Sequence, residues 1–173
     1  MQCIRVNRPS FDIDKIPEYY LAHDEFTLIN ILAVIYKDIE GLPKAIEIWM
    51  KLKTNYERSY SLNPYSNLPY RDLTSNIALA LKHSERFEEC LAAVETGMKM
   101  PLDFHDMKAY SRYLHQKGWC LLKLGRRKEG EQWYKKFLHF AYVLDGYAAI
   151  NFETVKMEYK DVFGGELDLS IPW

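Results

Sequence analysis

No apolar run in this sequence approaches the ~20 residues that a membrane-spanning helix needs. The opening stretch, MQCIRVNRPSFD, carries neither the apolar core of a secretory signal nor the Arg- and Ser-rich pattern of a transit peptide. A membrane partner and export are therefore not expected, and the cytoplasm is the expected compartment. An excess of either charge is lacking too, since 23 Lys and Arg stand against 24 Asp and Glu. Without an overall positive field the chain is not expected to hold DNA by itself. A local basic cluster at Lys123, Arg126, Arg127 and Lys128, followed by Lys135 and Lys136, reads as a solvated turn and helix face.

Motifs that carry chemistry are scarce. Cys3, Cys90 and Cys120 form an odd set with no metal-ligand spacing, and two of them fall where cysteine serves as a small hydrophobe. His105 lies between Asp103 and Asp106, and His115 follows, but neither has a Cys, Glu or second His four residues on to complete a metal pair. Both are better explained as polar residues near a helix start. No glycine-rich phosphate loop and no nucleophile elbow occur. No catalytic residue, metal or cofactor is expected, and an enzyme would have to assemble its site from unrelated positions.

What is present is a repeated steric pattern. Residues 31–49, 77–94 and 117–134 each set a small residue (Ala33, Ala78, Gly118) three before a large one (Tyr36, Leu81, Leu121). A second small residue (Ala45, Cys90, Gly130) then stands four before another large one (Trp49, Val94, Tyr134). The separation between the two small residues is 12 in every copy, although the copies share little literal sequence. Three and four residues apart are neighbours on one helix face, so each copy reads as two helices that touch where neither carries bulk.

The rest of the chain fits around these hairpins. At 173 residues, with 48% hydrophobic and 27% charged, it is expected to bury one core or one continuous stack. Residues 1–23 read as an irregular segment broken by Pro9 and Pro17, from which Ile13, Ile16, Tyr19 and Tyr20 could dock a short turn. Asp24 is expected to cap a helix over about 25–39 with the stripe Leu28, Ile29, Leu32, Ile35, Tyr36 and Ile39. Gly41 ends it, and Pro43 opens a partner over about 43–58 carrying Ile46, Trp49, Met50 and Leu52. After a turn-rich joint at 59–68, a second pair is expected at about 69–83 and 85–99, closed by Pro101. A third pair follows at about 105–123, capped by Asp103 with Asp106, and 127–145, with Gly125 in the turn. A single helix at 147–163 has the stripe Phe152, Val155, Tyr159 and Val162 or Phe163 and reads as the cap of the stack. Residues 166–173 form a short extended tail, with Trp173 a candidate anchor. The repeat domain thus spans 24–165, in units of about 24–58, 69–99 and 105–145.

The placement of Leu32, Ala33, Tyr36, Ala45 and Trp49, with its equivalents downstream, resembles the tetratricopeptide repeat. The units here are longer, the second small residue advancing by 45 and then 40 against ~34 in the standard repeat. Long units, a closing helix and the tail VFGGELDLSIPW also resemble the carboxy-terminal sensor regions of XRE-type helix-turn-helix regulators of the PlcR and Rgg kind. The resemblance implies an all-α superhelix, a right-handed stack of three helical hairpins plus a C-terminal capping helix. It also implies a sensing and dimerising role, with homodimer pairing through the last helices. DNA would be reached only through a helix-turn-helix domain not present in this chain, since nothing before Asp24 supplies a recognition helix.

A stack of helix pairs curves, and its inner groove is lined mainly by the first helix of each pair. Residues left free by the packing stripes are Asn30, Val34 and Lys37 in the first unit and Asp72, Asn76, Leu79 and Lys82 in the second. In the third they are Arg112, His115, Gln116 and Trp119. Amides can pair with backbone N–H and C=O groups while Lys or Arg holds a carboxylate, so the expected partner is an extended peptide or protein segment. Val34 stands where the carboxylate clamp of chaperone-binding tetratricopeptide proteins would have an asparagine, so a chaperone tail is not implied. The alternative expectation is a free-standing adaptor that assembles protein partners without DNA.

Overall fold

The computed structural model describes residues 10–60, 68–100, 107–143 and 152–165. These form a 3-10 turn at Ile13–Glu18 and the helices α1 (His23–Ile39), α2 (Leu42–Tyr60), α3 (Leu68–His83), α4 (Phe87–Met98), α5 (Met107–Lys123), α6 (Arg127–Val143) and α7 (Phe152–Phe163). No strand occurs among the described residues. The protein is an all-α superhelix: α1 packs on α2, α3 on α4 and α5 on α6, each hairpin rests on the next, and α7 closes the end against α6. The first helices also touch in sequence, α1 with α3 and α3 with α5, so they share one wall. No helix among the described residues is long and apolar enough to cross a membrane.

The small residues lie where the hairpin reading puts them. Ala33, Ala45, Ala78 and Cys90 are fully buried, and Cys90 Sγ donates to the carbonyl of Ala78 at 3.1 Å. In the third hairpin the fit leaves no room at all. A Cβ added to Gly118 would stand 2.6 Å from the Tyr134 ring and 3.2 Å from the Gly130 carbonyl, and one added to Gly130 would stand 2.9 Å from the Gly118 carbonyl. The large partners Trp49, Leu81, Val94, Leu121 and Tyr134 are buried beside them, and Tyr36 is half-buried.

Each hairpin turn needs one residue of left-handed backbone: Gly41 (φ +90°), Glu85 (φ +57°) and Gly125 (φ +77°). In the second and third turns the same bonds recur, Arg86 N–H to the Leu81 carbonyl at 3.0 Å and Arg126 N–H to the Leu121 carbonyl at 2.8 Å. Arg86 then grips Glu89 through two hydrogen bonds, and Arg126 grips Glu129 in the same way. Arg126, which the sequence places in a basic cluster, is thus a repeated surface tie at the start of a second helix.

Several expectations need correction. Asp24 does not cap α1; Glu25 reaches back to accept the Ala22 N–H at 2.9 Å, and Asp24 lies exposed in the first turn. The inward face of α1 is Phe26, Ile29 and Ala33, while Leu28, Ile35 and Ile39 are 39%, 48% and 73% exposed. Ala33 fixes the rotation of this helix against α2, and α1 simply carries more apolar residues than one face can bury. Met50 and Tyr20 are likewise exposed. The 3-10 turn does dock, through buried Ile16 and through Asn55 of α2, which donates to the carbonyls of Ile16 and Tyr19 at 2.7 and 2.6 Å. Of the expected joint at 59–68, residues 59 and 60 belong to α2 and residue 68 to α3; the rest of it, Cys3, Pro9, Pro101, the Asp103 and Asp106 cap, His105, the 144–151 stretch and the tail at 166–173 with Trp173 lie outside the described residues.

Candidate functional site

The wall shared by α1, α3 and α5 borders a cavity of about 450 Å³, a size typical of ligand pockets. Val34 and Lys37 of α1, Asn76, Leu79 and Lys82 of α3, and Arg112, His115 and Gln116 of α5 all line it, joined by Leu42 and Trp49 of α2. The structure therefore brings together most of the groove residues that the sequence nominates. Asp72 does not line the cavity. Its carboxyl is pushed up by burial, an effect that Arg112 and Arg71 partly offset.

Two nominated residues have another role. Asn30 is absent from the lining; its Oδ1 accepts from Trp49 Nε1 at 2.9 Å and from Asn76 Nδ2 at 3.1 Å. Asn30 thus holds two lining side chains in place across three helices, and leaves Asn76 Oδ1 as an acceptor. Trp119 lies beyond the rim, under the Lys82 ammonium at 4.6 Å and the Lys123 ammonium at 5.2 Å. It borders a separate hollow with Lys123, Arg127 and Val162.

Cations dominate the cavity. Lys37, Lys82 and Arg112 line it beside His83 and His115, and no Asp or Glu is among the described lining residues. Burial lowers the Lys82 ammonium below its ordinary value, because a half-buried charge has lost water without gaining a close counter-ion. Gln116 is 2% exposed, and its Oε1 has no hydrogen-bond partner. A buried acceptor of that kind costs free energy until a donor arrives.

The floor holds a cluster that sequence reasoning missed. His115 is not a helix-start residue; it sits within α5, 5% exposed, with Nε2 2.9 Å from Glu158 Oε2 of α7. Tyr134 of α6 donates its hydroxyl to the other Glu158 oxygen at 2.9 Å. Burial pushes the Glu158 carboxyl up, but the hydrogen bond and charge of His115 and the Tyr134 hydroxyl outweigh it and hold the group below its usual range. The one available signal was Glu158 itself, a carboxylate set among the inward residues Val155 and Tyr159 of α7.

A scan against models of known protein families finds no match for this chain, and a search of curated proteins finds none either.

Proposed function

We propose that the cavity walled by α1, α3 and α5 receives an extended peptide or protein segment, and that the chain is the sensing part of a transcription regulator. In this reading it is a tetratricopeptide-like domain whose DNA contacts come from a helix-turn-helix domain outside this chain. The observation that carries the peptide reading is the lining itself: apolar Val34, Leu42, Leu79 and Trp49 interleaved with Asn76, Gln116, Lys37, Lys82 and Arg112. Apolar surface supplies affinity, and the few polar groups fix the register of a backbone. A segment that prefers one curvature of the stack shifts its equilibrium, and through it the placement of attached domains. His115 gives that shift a route, since it borders the cavity and holds the closing helix.

The test is selection of a displayed random-peptide library on the protein. Selected peptides should lose binding when Asn76→Ala is combined with Arg112→Ala, with Tm nearly unchanged. Equal binding to that double variant would remove the groove from consideration.

The second reading, an adaptor that assembles protein partners without DNA, is favoured by one feature. Leu28, Ile31, Ile35 and Ile39 form an exposed stripe along α1 at helical spacing, and contiguous exposed apolar surface marks interaction sites. Placing glutamate at Ile31 and Ile39 should abolish partner capture under this reading and leave groove binding intact.

A further inference from the structure

Two thiols face each other where the second hairpin meets the third, and the peptide reading leaves them without a role. Cys90 of α4 and Cys120 of α5 are both at 0% exposure within one apolar core. Neither position is cysteine in the other copies of the repeat. Where the second hairpin has Cys90 the others have Ala45 and Gly130, and where α5 has Cys120, two past its small residue, α1 and α3 have Ile35 and Ala80. Packing alone asks only for an apolar side chain at either point. Yet the two sulfurs stand in hydrogen-bonding contact across the helices, and Cys90 Sγ also lies 3.1 Å from the Ala78 carbonyl. A thiol pair held in that way is a short approach from a sulfur–sulfur bond.

The contact also makes the two sulfurs unequal. The bond from Cys90 holds the Cys120 thiol below its ordinary value against the effect of burial, with the Lys82 ammonium helping. The same bond, together with burial, pushes the Cys90 thiol up. One sulfur is readied as a nucleophile while its neighbour keeps its proton. Lys82 in turn lines the cavity, so a small solute there shares a neighbour with Cys120.

We propose that Cys90 and Cys120 form a reversible oxidation site, a dithiol that hydrogen peroxide converts into a disulfide clamping α4 to α5. The Cys120 thiolate attacks one peroxide oxygen: an S–O bond forms, the O–O bond breaks, and the departing hydroxide leaves as water with the proton that Cys120 gave up. The Cys90 sulfur then displaces the hydroxyl from Cys120, which leaves with the Cys90 proton as a second water while the S–S bond forms. Two thiols are oxidised as one peroxide is reduced, and exchange with two equivalents of a small thiol restores the pair. The clamp would tie the second hairpin to the third, whatever the cavity binds.

The experiment treats the folded full chain, in a Cys3→Ser background, with hydrogen peroxide, blocks the remaining thiols and maps the products by non-reducing peptide mass spectrometry. The expected product is a monomer whose Cys90 and Cys120 peptides are joined and are released by a small thiol. Its Tm should exceed that of the reduced protein by about 5–10 °C. In Cys90→Ser, Cys120 should pass to the sulfinic acid, whereas in Cys120→Ser the Cys90 thiol should stay unmodified. Lys82→Gln should slow the linkage about threefold to tenfold through a smaller thiolate fraction. Thiols that stay free in the folded protein and pair only in urea, links between two chains, or a lower Tm after oxidation would overturn the inference. So would oxidation of Cys90 in Cys120→Ser at the rate of the intact pair. Circular dichroism establishes that each variant is folded before oxidation, and the unsubstituted pair carries the test for any that is not.

Discussion

The two halves of the stack solve the same packing problem with different materials. The core of the first two hairpins is mainly aliphatic, with Ile29, Ile48, Leu52, Leu73, Ile77 and Val94 at or near zero exposure. The core under the third hairpin and α7 is largely aromatic: Tyr134, Phe137 and Tyr159 with Phe163 packed against them. It is also threaded by buried His115 and Tyr134, which both bond the half-buried Glu158. The reason lies in their neighbours. The second hairpin has a hairpin on either side and can rely on non-directional burial, and the first has one on one side and the 3-10 turn, tied by Asn55, next to α2. The last one must fix a single short helix, and hydrogen bonds between buried groups specify one placement where apolar contact alone tolerates several.

The sharpest way to break the comparison is to remove equivalent aromatic residues. Trp49→Ala and Tyr134→Ala should each cost about 3–5 kcal/mol through the cavity they leave. Their consequences should nonetheless differ. Losing Tyr134 also strips Glu158 of a donor, so amide exchange in α7 should rise to near-unprotected rates while α1 and α2 stay protected. Trp49→Ala should loosen α1 and free Asn76 instead, because Asn30 loses the indole donor that helps to fix it. Identical exchange patterns in the two variants would show that the halves behave as one cooperative block.

Next comes the small-residue contact itself. Gly118→Ala drives a methyl into the Tyr134 ring and against the Gly130 carbonyl, at a cost of about 1–3 kcal/mol. Cys90→Ala, on the opposite helix of the equivalent contact in the second hairpin, only removes a sulfur, and should cost about 1 kcal/mol or less. Urea denaturation orders the two, and a reversed order would mean that the third hairpin is the looser one.

Acid should separate the halves more gently. Glu158 has a carboxyl held below its ordinary 4.5 in the folded protein. A depressed pKa contributes stability that is complete above the ordinary value and is lost as pH falls through the folded one. Lowering pH below about 4.5 should therefore release α7 before the first two hairpins unfold. Glu158→Gln should weaken the same contact at neutral pH by about 1–2 kcal/mol and flatten the acid transition, followed as exchange of α7 amides. Persistence of that transition in Glu158→Gln would assign it to other carboxyls.

The pattern of what could be read in the sequence follows from range. The contacts of Ala78 with Cys90 and of Gly118 with Gly130 lie within one hairpin, so a fixed spacing announces them. The lining positions on α1, α3 and α5 follow once those contacts set the rotation of each helix. The rotation of α1 is not legible in the sequence, because Leu28, Ile35 and Ile39 make a second apolar stripe as regular as the buried one, and periodicity does not say which stripe faces inward. The tie between His115 and Glu158 spans 43 residues, and the bond from Trp49 to Asn30 crosses two helices. Neither leaves a local trace, so the sequence does not show that Asn30 accepts from Trp49 and Asn76.

The smallest effect lies in the hairpin turns, where the repeat departs from itself. The first and third turns place glycine in the left-handed region, whereas the second places Glu85 there at φ +57°. A side chain in that conformation meets its own backbone, and glycine does not. Glu85→Gly should therefore raise stability by about 0.5–1 kcal/mol, less the entropy glycine returns to the unfolded chain. Gly125→Ala, with open space around the added Cβ and φ +77°, should lose a similar amount for strain alone. Opposite signs of similar size in thermal unfolding would show that the second turn has the same backbone as the third. A stability loss in Glu85→Gly would mean instead that the glutamate side chain holds the turn through contacts that glycine cannot replace.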